Sequence, residues 1–295
     1  MKKKLSAANF LEHFFENCEK QLDVNELENF FVIIEEKNFR FSEFIALLME
    51  SKIWQDDFEQ NTCYKDLCLK LALEIECFYK QLEKQPAYHS ISHFIDVCFS
   101  LSLLRAADFY TVEDLEATTS INQLEDSWIL LLCAIGHDYG HDGSFNKTPH
   151  QLEKKSLILI QTFLDKQNLE LSFKLNLINK IEPIILATDP QSYPLLFLKF
   201  SNQNITSLQP IDYLCMLMVE ADLLASTLPI RGVVLSKKLS LEWAEHSPLA
   251  SSDVITKKGR LRFLNYIQFL TKQSKLLGID KFLELSKELT IEVIQ

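Results

Sequence analysis

The stretch from Asp66 to Leu82, DLCLKLALEIECFYKQL, decides the fold. Cys68, Leu71, Ala72, Ile75, Phe78, Tyr79 and Leu82 recur at steps of three and four, which places them along one face of a helix. The same spacing runs through 10–34, 94–107, 156–164, 174–187, 211–224 and 261–270. Sustained period-two alternation is absent, and six glycines with eight prolines supply few tight turns. The pattern predicts an all-α protein, a compact bundle of many helices. Residues 1–65 contain no constellation of histidines and are rich in Phe and Glu, which predicts an N-terminal helical portion packed on a larger unit spanning 66–295. The polar stretches 111–127, 142–155 and 199–209 read as connections.

Composition narrows the function. At 295 residues and 47% hydrophobic, the chain is long enough to bury a large core. Its net charge of -11 opposes a nucleic-acid polymer or an anionic membrane as partner, since both demand a positive face. An anionic substrate then requires metal ions or a local basic patch. The seven cysteines (18, 63, 68, 77, 98, 133 and 215) are odd in number and form no Cys-x-x-Cys pair, so they read as reduced thiols. Met1-Lys2-Lys3-Lys4 is followed by Asn9, Glu12 and His13 where a signal peptide needs an apolar core, and the expected location is the cytoplasm. Export by a route without a cleavable signal remains compatible with this start. The longest apolar run, Trp128 to Ile135, is far shorter than the roughly 20 residues of a membrane span, so no transmembrane segment is expected.

Chemistry concentrates in two phrases, Tyr88-His89-Ser90-Ile91-Ser92-His93 and His137-Asp138-Tyr139-Gly140-His141-Asp142-Gly143. Three of the six glycines, at 136, 140 and 143, fall in or beside the second, where backbone must bend tightly. His89 and His93 are one helical turn apart, whereas His137 and Asp138 are adjacent and converge only at a helix end. A third contribution is Asp222, set in the apolar run Met216 to Leu224, where a carboxylate is costly unless it is paired or bound to metal. Imidazole and carboxylate together make the donor set of an open catalytic metal site.

The order His93, His137-Asp138, Asp222 resembles the HD superfamily of metal-dependent phosphohydrolases. Its flanking residues, Ala87-Tyr88-His89 with His93 and Asp96-Val97, His137-Asp138 with His141, Gly143 and Asn146, Ile185 to Asp189, and Ala221-Asp222-Leu223, resemble in order four phrases of the class I cyclic nucleotide phosphodiesterases. The resemblance covers roughly 70–270. It implies a zinc-like ion on His93, His137, Asp138 and Asp222, with Asp138 bridging to a second ion, Mg2+ or Mn2+, held otherwise by water. It implies further that a hydroxide between the ions attacks the phosphorus of a cyclic nucleotide, that His89 protonates the leaving sugar oxygen, and that a carboxylate, Glu242 or the nearby Glu245, supports His89. His141, Asp96, Asn146 and Asp189 would orient ligands and metal-bound waters, and Phe263 would stack on the base.

The substrate pocket departs from that pattern. Arg260 stands three residues before Phe263, where the family has a glutamine that holds the purine edge; a guanidinium offers donors only, which suits the acceptors of guanine or a phosphate. Tyr193 closes the third phrase in place of histidine, and Ala225-Ser226 follows the metal aspartate in place of Ser-Asn-Pro. The expected activity is hydrolysis of cyclic AMP or cyclic GMP to the 5′-monophosphate. The alternatives are action on another phosphoester, or a silent module that binds a nucleotide or a protein.

Overall fold

Pro210 opens the helix around which the others pack. The computed structural model describes residues 11, 14, 15, 22–55, 62–110, 124–201 and 208–292. Expectations for Lys2–Lys4, 111–123, 202–207 and part of 10–34 lie outside them. Among the described residues the architecture is the all-α bundle that the periodicity predicts, with no strand. Helices α1 (Val24–Lys37) and α2 (Phe41–Met49) precede α3 (Thr62–Gln81), α4 (Ile91–Tyr110) and α5 (Leu124–Gly136). Next come α6 (Gln151–Asp165), α7 (Leu171–Leu186) and, after a 3-10 turn at Pro190–Ser192, α8 (Tyr193–Ser201). Helices α9 (Pro210–Thr227) and α10 (Arg231–Trp243) lead to α11 (Pro248–Val254), α12 (Lys257–Tyr266), α13 (Lys272–Leu277) and α14 (Ile279–Glu292). No single described helix is long and apolar enough to cross a membrane.

Helix α9 starts well because Pro210 occupies its first turn and Gln209 and Asp212 form a reciprocal capping box. From Leu214 to Thr227 every residue except Asp222 is buried, since α9 is packed by α4, α5, α7 and α10. Beyond the capping Asp212, its carboxylates Glu220 and Asp222 are two residues apart, about 200° around the helix, and so serve different sides. Glu220 accepts from the backbone N–H groups of Leu270 and Thr271 and from the hydroxyls of Thr271 and Ser274, which fixes the start of α13. Asp222 faces the other way.

The described N-terminal residues share this core: Leu27, Phe31, Phe41 and Phe44 are wholly buried, and Phe30 stacks on Phe99 with centroids 4.5 Å apart. Glu28 on α1 accepts from the backbone of Ile230 (2.6 Å) and Arg231 (2.8 Å), placing a carboxylate at the N-terminus of α10, where the helix dipole favours it. Two expected connections are shorter than predicted. Helix α5 begins at Leu124 and α6 at Gln151, because Leu152, Ser156, Ile160 and Phe163 form a buried stripe whose first turn is masked in sequence by polar residues. The described cysteines are free thiols, with Cys68, Cys98, Cys133 and Cys215 buried.

Candidate metal centre

Three elements converge on one point. His93 lies in the first turn of α4, entered by a tight turn in which its N–H donates to Ser90 O (2.9 Å). His137 and Asp138 come directly after the last turn of α5, and the chain then reverses through Gly140 and Gly143, both at φ +79°, a conformation that favours glycine. Asp222 arrives from α9. This explains how adjacent residues and distant ones reach a common centre.

Five donor–donor separations define it. His93 Nε2 lies 3.3 Å from His137 Nε2, 3.3 Å from Asp138 Oδ2 and 3.2 Å from Asp222 Oδ1. His137 Nε2 lies 3.1 Å from Asp138 Oδ2 and 3.6 Å from Asp222 Oδ1. Metal–donor bonds of about 2.0–2.2 Å in a tetrahedron give edges of about 3.3–3.6 Å, so the four side chains fit a divalent ion as they stand. The tautomer agrees: His137 Nδ1 donates to Ala134 O (3.1 Å), which leaves its Nε2 lone pair directed at the cluster. Electrostatics point the same way. Burial opposes charge on His93, but Asp138 and Asp222 outweigh it and raise its pKa to about 9. His137 is raised well above its ordinary range despite burial, chiefly by Asp138. Burial likewise opposes ionisation of Asp222, yet the two imidazoles draw it down to about 2. Two imidazoles and two carboxylates this close together are a donor set that accommodates a divalent metal.

His89 stands beside the cluster, its Nε2 3.8 Å from Asp138 Oδ2. Its Nδ1 meets Glu242 Oε1 at 2.5 Å, while Glu242 Oε2 accepts from the backbone N–H of Tyr88 (2.8 Å) and His89 (3.0 Å). Burial would raise the Glu242 carboxyl, but these contacts hold it at about 2. Gly143 makes room for it, since a Cβ there would sit 2.8 Å from Glu242 Cγ. The other candidate, Glu245, pairs with Lys84 at the surface. His141 stacks on His89 with centroids 3.6 Å apart and receives the Gly143 N–H on Nδ1 (3.0 Å). Burial and the neighbouring His89 push its pKa down to about 3, so it is neutral with its proton on Nε2.

The other residues expected at the site have partners of their own. Asp96, one turn after His93, is buried and accepts from Arg231 at 2.7 Å, a partner that the sequence does not reveal. Asn146 donates to both oxygens of Glu153 (3.2 and 3.0 Å), and Asp189 accepts from the backbone of His150 (2.7 Å) and Gln191 (3.0 Å). His150, Glu153 and Asp189 bring ligand atoms within 4.8 Å of one another, a group that sequence reasoning missed. Its signal was Glu153 adjoining the buried stripe of α6. Burial raises the Glu153 carboxyl to about 7. Phe263 on α12 is half-buried, and the Arg260 guanidinium lies 5.6 Å from its ring. That guanidinium is spent on the carbonyls of Ser226 (2.5 Å) and Leu228 (2.9 Å). Tyr193 donates to Thr188 O (3.1 Å) and stacks on Tyr266.

No family model matches the sequence, and no curated protein matches it by sequence similarity. Solved structures do match. LmjPDEB1 in complex with IBMX aligns at 11% identity and TM-score 0.68 over 98% of each chain. The phosphodiesterase domain of the rhodopsin phosphodiesterase of the choanoflagellate Salpingoeca rosetta aligns at 16% identity and TM-score 0.61, over 100% of this chain and 95% of that one. Yeast caPDE2 in complex with IBMX aligns at 17% identity and TM-score 0.52, over 97% and 76%. The fold of this chain is that of the cyclic nucleotide phosphodiesterase catalytic domains.

Proposed function

We propose that the protein hydrolyses a 3′,5′-cyclic nucleotide, cyclic AMP or cyclic GMP, to the 5′-monophosphate with the help of two divalent ions. The observation that carries this reading is His89, backed by Glu242 and directed at the edge of a four-donor metal cluster. His93, His137, Asp138 and Asp222 would hold the first ion, Zn2+, and Asp138 would share the second, Mg2+ or Mn2+. Bound there, the ions supply an activated water and neutralise phosphoryl oxygens.

The chain's own residues do the rest. Glu242 would hold the His89 Nδ1 proton in place and so aim Nε2, which would give a proton to the 3′ oxygen as it leaves. A positioned general acid of this kind contributes roughly 10²- to 10⁴-fold. His141, held neutral, offers an Nε2–H to solvent oxygen in the cluster. Asn146, Asp189, His150 and Glu153 would form a polar wall next to it, and the half-buried ring of Phe263 would offer a stacking surface for a base. The likeness to two structures in complex with IBMX supports a small-molecule ligand.

The test is a panel of cyclic AMP, cyclic GMP and bis(p-nitrophenyl) phosphate with added Mn2+, with products separated chromatographically. The proposal expects 5′-monophosphate from at least one cyclic nucleotide. Turnover of the generic diester alone would overturn it.

A further inference from the structure

Two buried arginines lie on or against α10, and among the described residues one of them has no carboxylate in direct contact. Arg231 meets Asp96 at 2.7 Å and also Glu35. Arg260, 6% exposed, has only the backbone carbonyls of Ser226 and Leu228, and its Nε–H is buried without an acceptor. Among the described residues it forms no salt bridge. Gly232, with no Cβ, leaves the space that the guanidinium occupies. Burial draws the Arg260 pKa down to about 10, with Glu28 opposing, so the side chain is charged at neutral pH. A buried cation without an anion is unfavourable, which makes its surroundings informative.

Arg260 lines a cavity of about 340 Å³ between α10, the start of α12 and α14. Among the described residues Lys237 lines it too, and no carboxylate does, in a chain of net charge -11. The rest of the wall is largely aliphatic, with Val233 (42% exposed), Ile255 (56%) and Leu289 (42%) left open to solvent. No aromatic ring lines the cavity, so a nucleobase finds no stacking surface, and no side chain of the metal cluster belongs to it. The volume falls within the range of small-ligand sites.

We infer that this cavity is a second ligand site, which takes an aliphatic carboxylate: the head group meets Arg260, which has no carboxylate in direct contact, with Lys237 also on the cavity wall, and the tail covers the aliphatic wall. The site is independent of the proposed reaction. Arg260 reorients slightly to present its free N–H to the head group, and the apolar tail gains by leaving water.

The test is calorimetric titration of the full chain with sodium decanoate, 1-decanol, sodium acetate and decyltrimethylammonium bromide, below micellar concentrations. Decanoate should bind one per chain, and at least about tenfold tighter than any of the other three, since both the charge-assisted contacts and the tail are needed. Arg260→Met should weaken decanoate by about 10- to 100-fold, the worth of a hydrogen bond to a charged group. Val233→Trp and Leu289→Trp, which fill the cavity from two walls, should weaken it at least as much. The inference is overturned if wild-type protein binds no decanoate, if decanol binds as tightly, or if the folded variants bind decanoate like wild type. The ligand ranking on wild-type protein decides the matter even if a variant fails to fold.

Discussion

Replacing Glu242 by glutamine removes one charge and almost no volume, so its cost is set by the contacts that the carboxylate makes. The carboxylate serves three donors, His89 Nδ1 at 2.5 Å and the backbone N–H groups of Tyr88 and His89 at 2.8 and 3.0 Å. An amide has one acceptor oxygen. If it stays on His89 Nδ1, its NH2 group opposes two backbone donors; if it flips, the imidazole loses its partner. The carboxyl is held at about 2 against an ordinary 4.5, which at 1.36 kcal/mol per pH unit is about 3 kcal/mol of preference for the charged form. We therefore expect kcat/KM to fall on the order of 10²-fold with metal content unchanged. The same depressed pKa means that Glu242 stabilises the fold above pH about 4.5 and ceases to do so as pH falls toward 2. Steady-state kinetics across pH, with elemental analysis of the variant, check this. A variant within threefold of wild type, or one that has lost its metal, would refute the reasoning.

His89→Ala should keep its metal and lose roughly 10²- to 10⁴-fold in turnover, whereas Asp222→Ala or His137→Ala should lose metal and activity together, as read by elemental analysis and kinetics. Glu220→Ala leaves four donors around α13 without an acceptor and should destabilise the protein by about 3–5 kcal/mol in urea titration, with metal affinity retained once folded. Arg260→Gln should change the ratio of cyclic AMP to cyclic GMP hydrolysis by less than the roughly 1–3 kcal/mol of a bidentate base contact, since the guanidinium is committed to Ser226 and Leu228.

The helical class was legible because buried faces repeat every three to four residues, as in α3, where Leu67, Leu71, Ile75 and Tyr79 are buried. The cluster of His93, His137, Asp138 and Asp222 was legible because these residues bring charge into segments that are otherwise apolar or glycine-bent. Glu220 shows the limit of that logic: it lies in the same apolar run as Asp222, yet its partners are hydroxyls and backbone N–H groups more than 50 residues away. Glu153 was obscured by a polar first turn in α6, and the partner of Asp96 by the 135 residues that separate it from Arg231. Arg260 was read for the chemistry of its side chain alone. Sequence could not show that two carbonyls at the end of α9 already occupy it.

Activity measured during metal titration tests the central claim most directly. Protein stripped with a chelator and titrated with Mn2+ should turn over cyclic AMP or cyclic GMP in proportion to metal bound, with saturation near the occupancy of the cluster, while Asp222→Asn should show neither binding nor turnover. Hydrolysis that survives stripping, or a metal-loaded protein that leaves both cyclic nucleotides intact, would contradict the account.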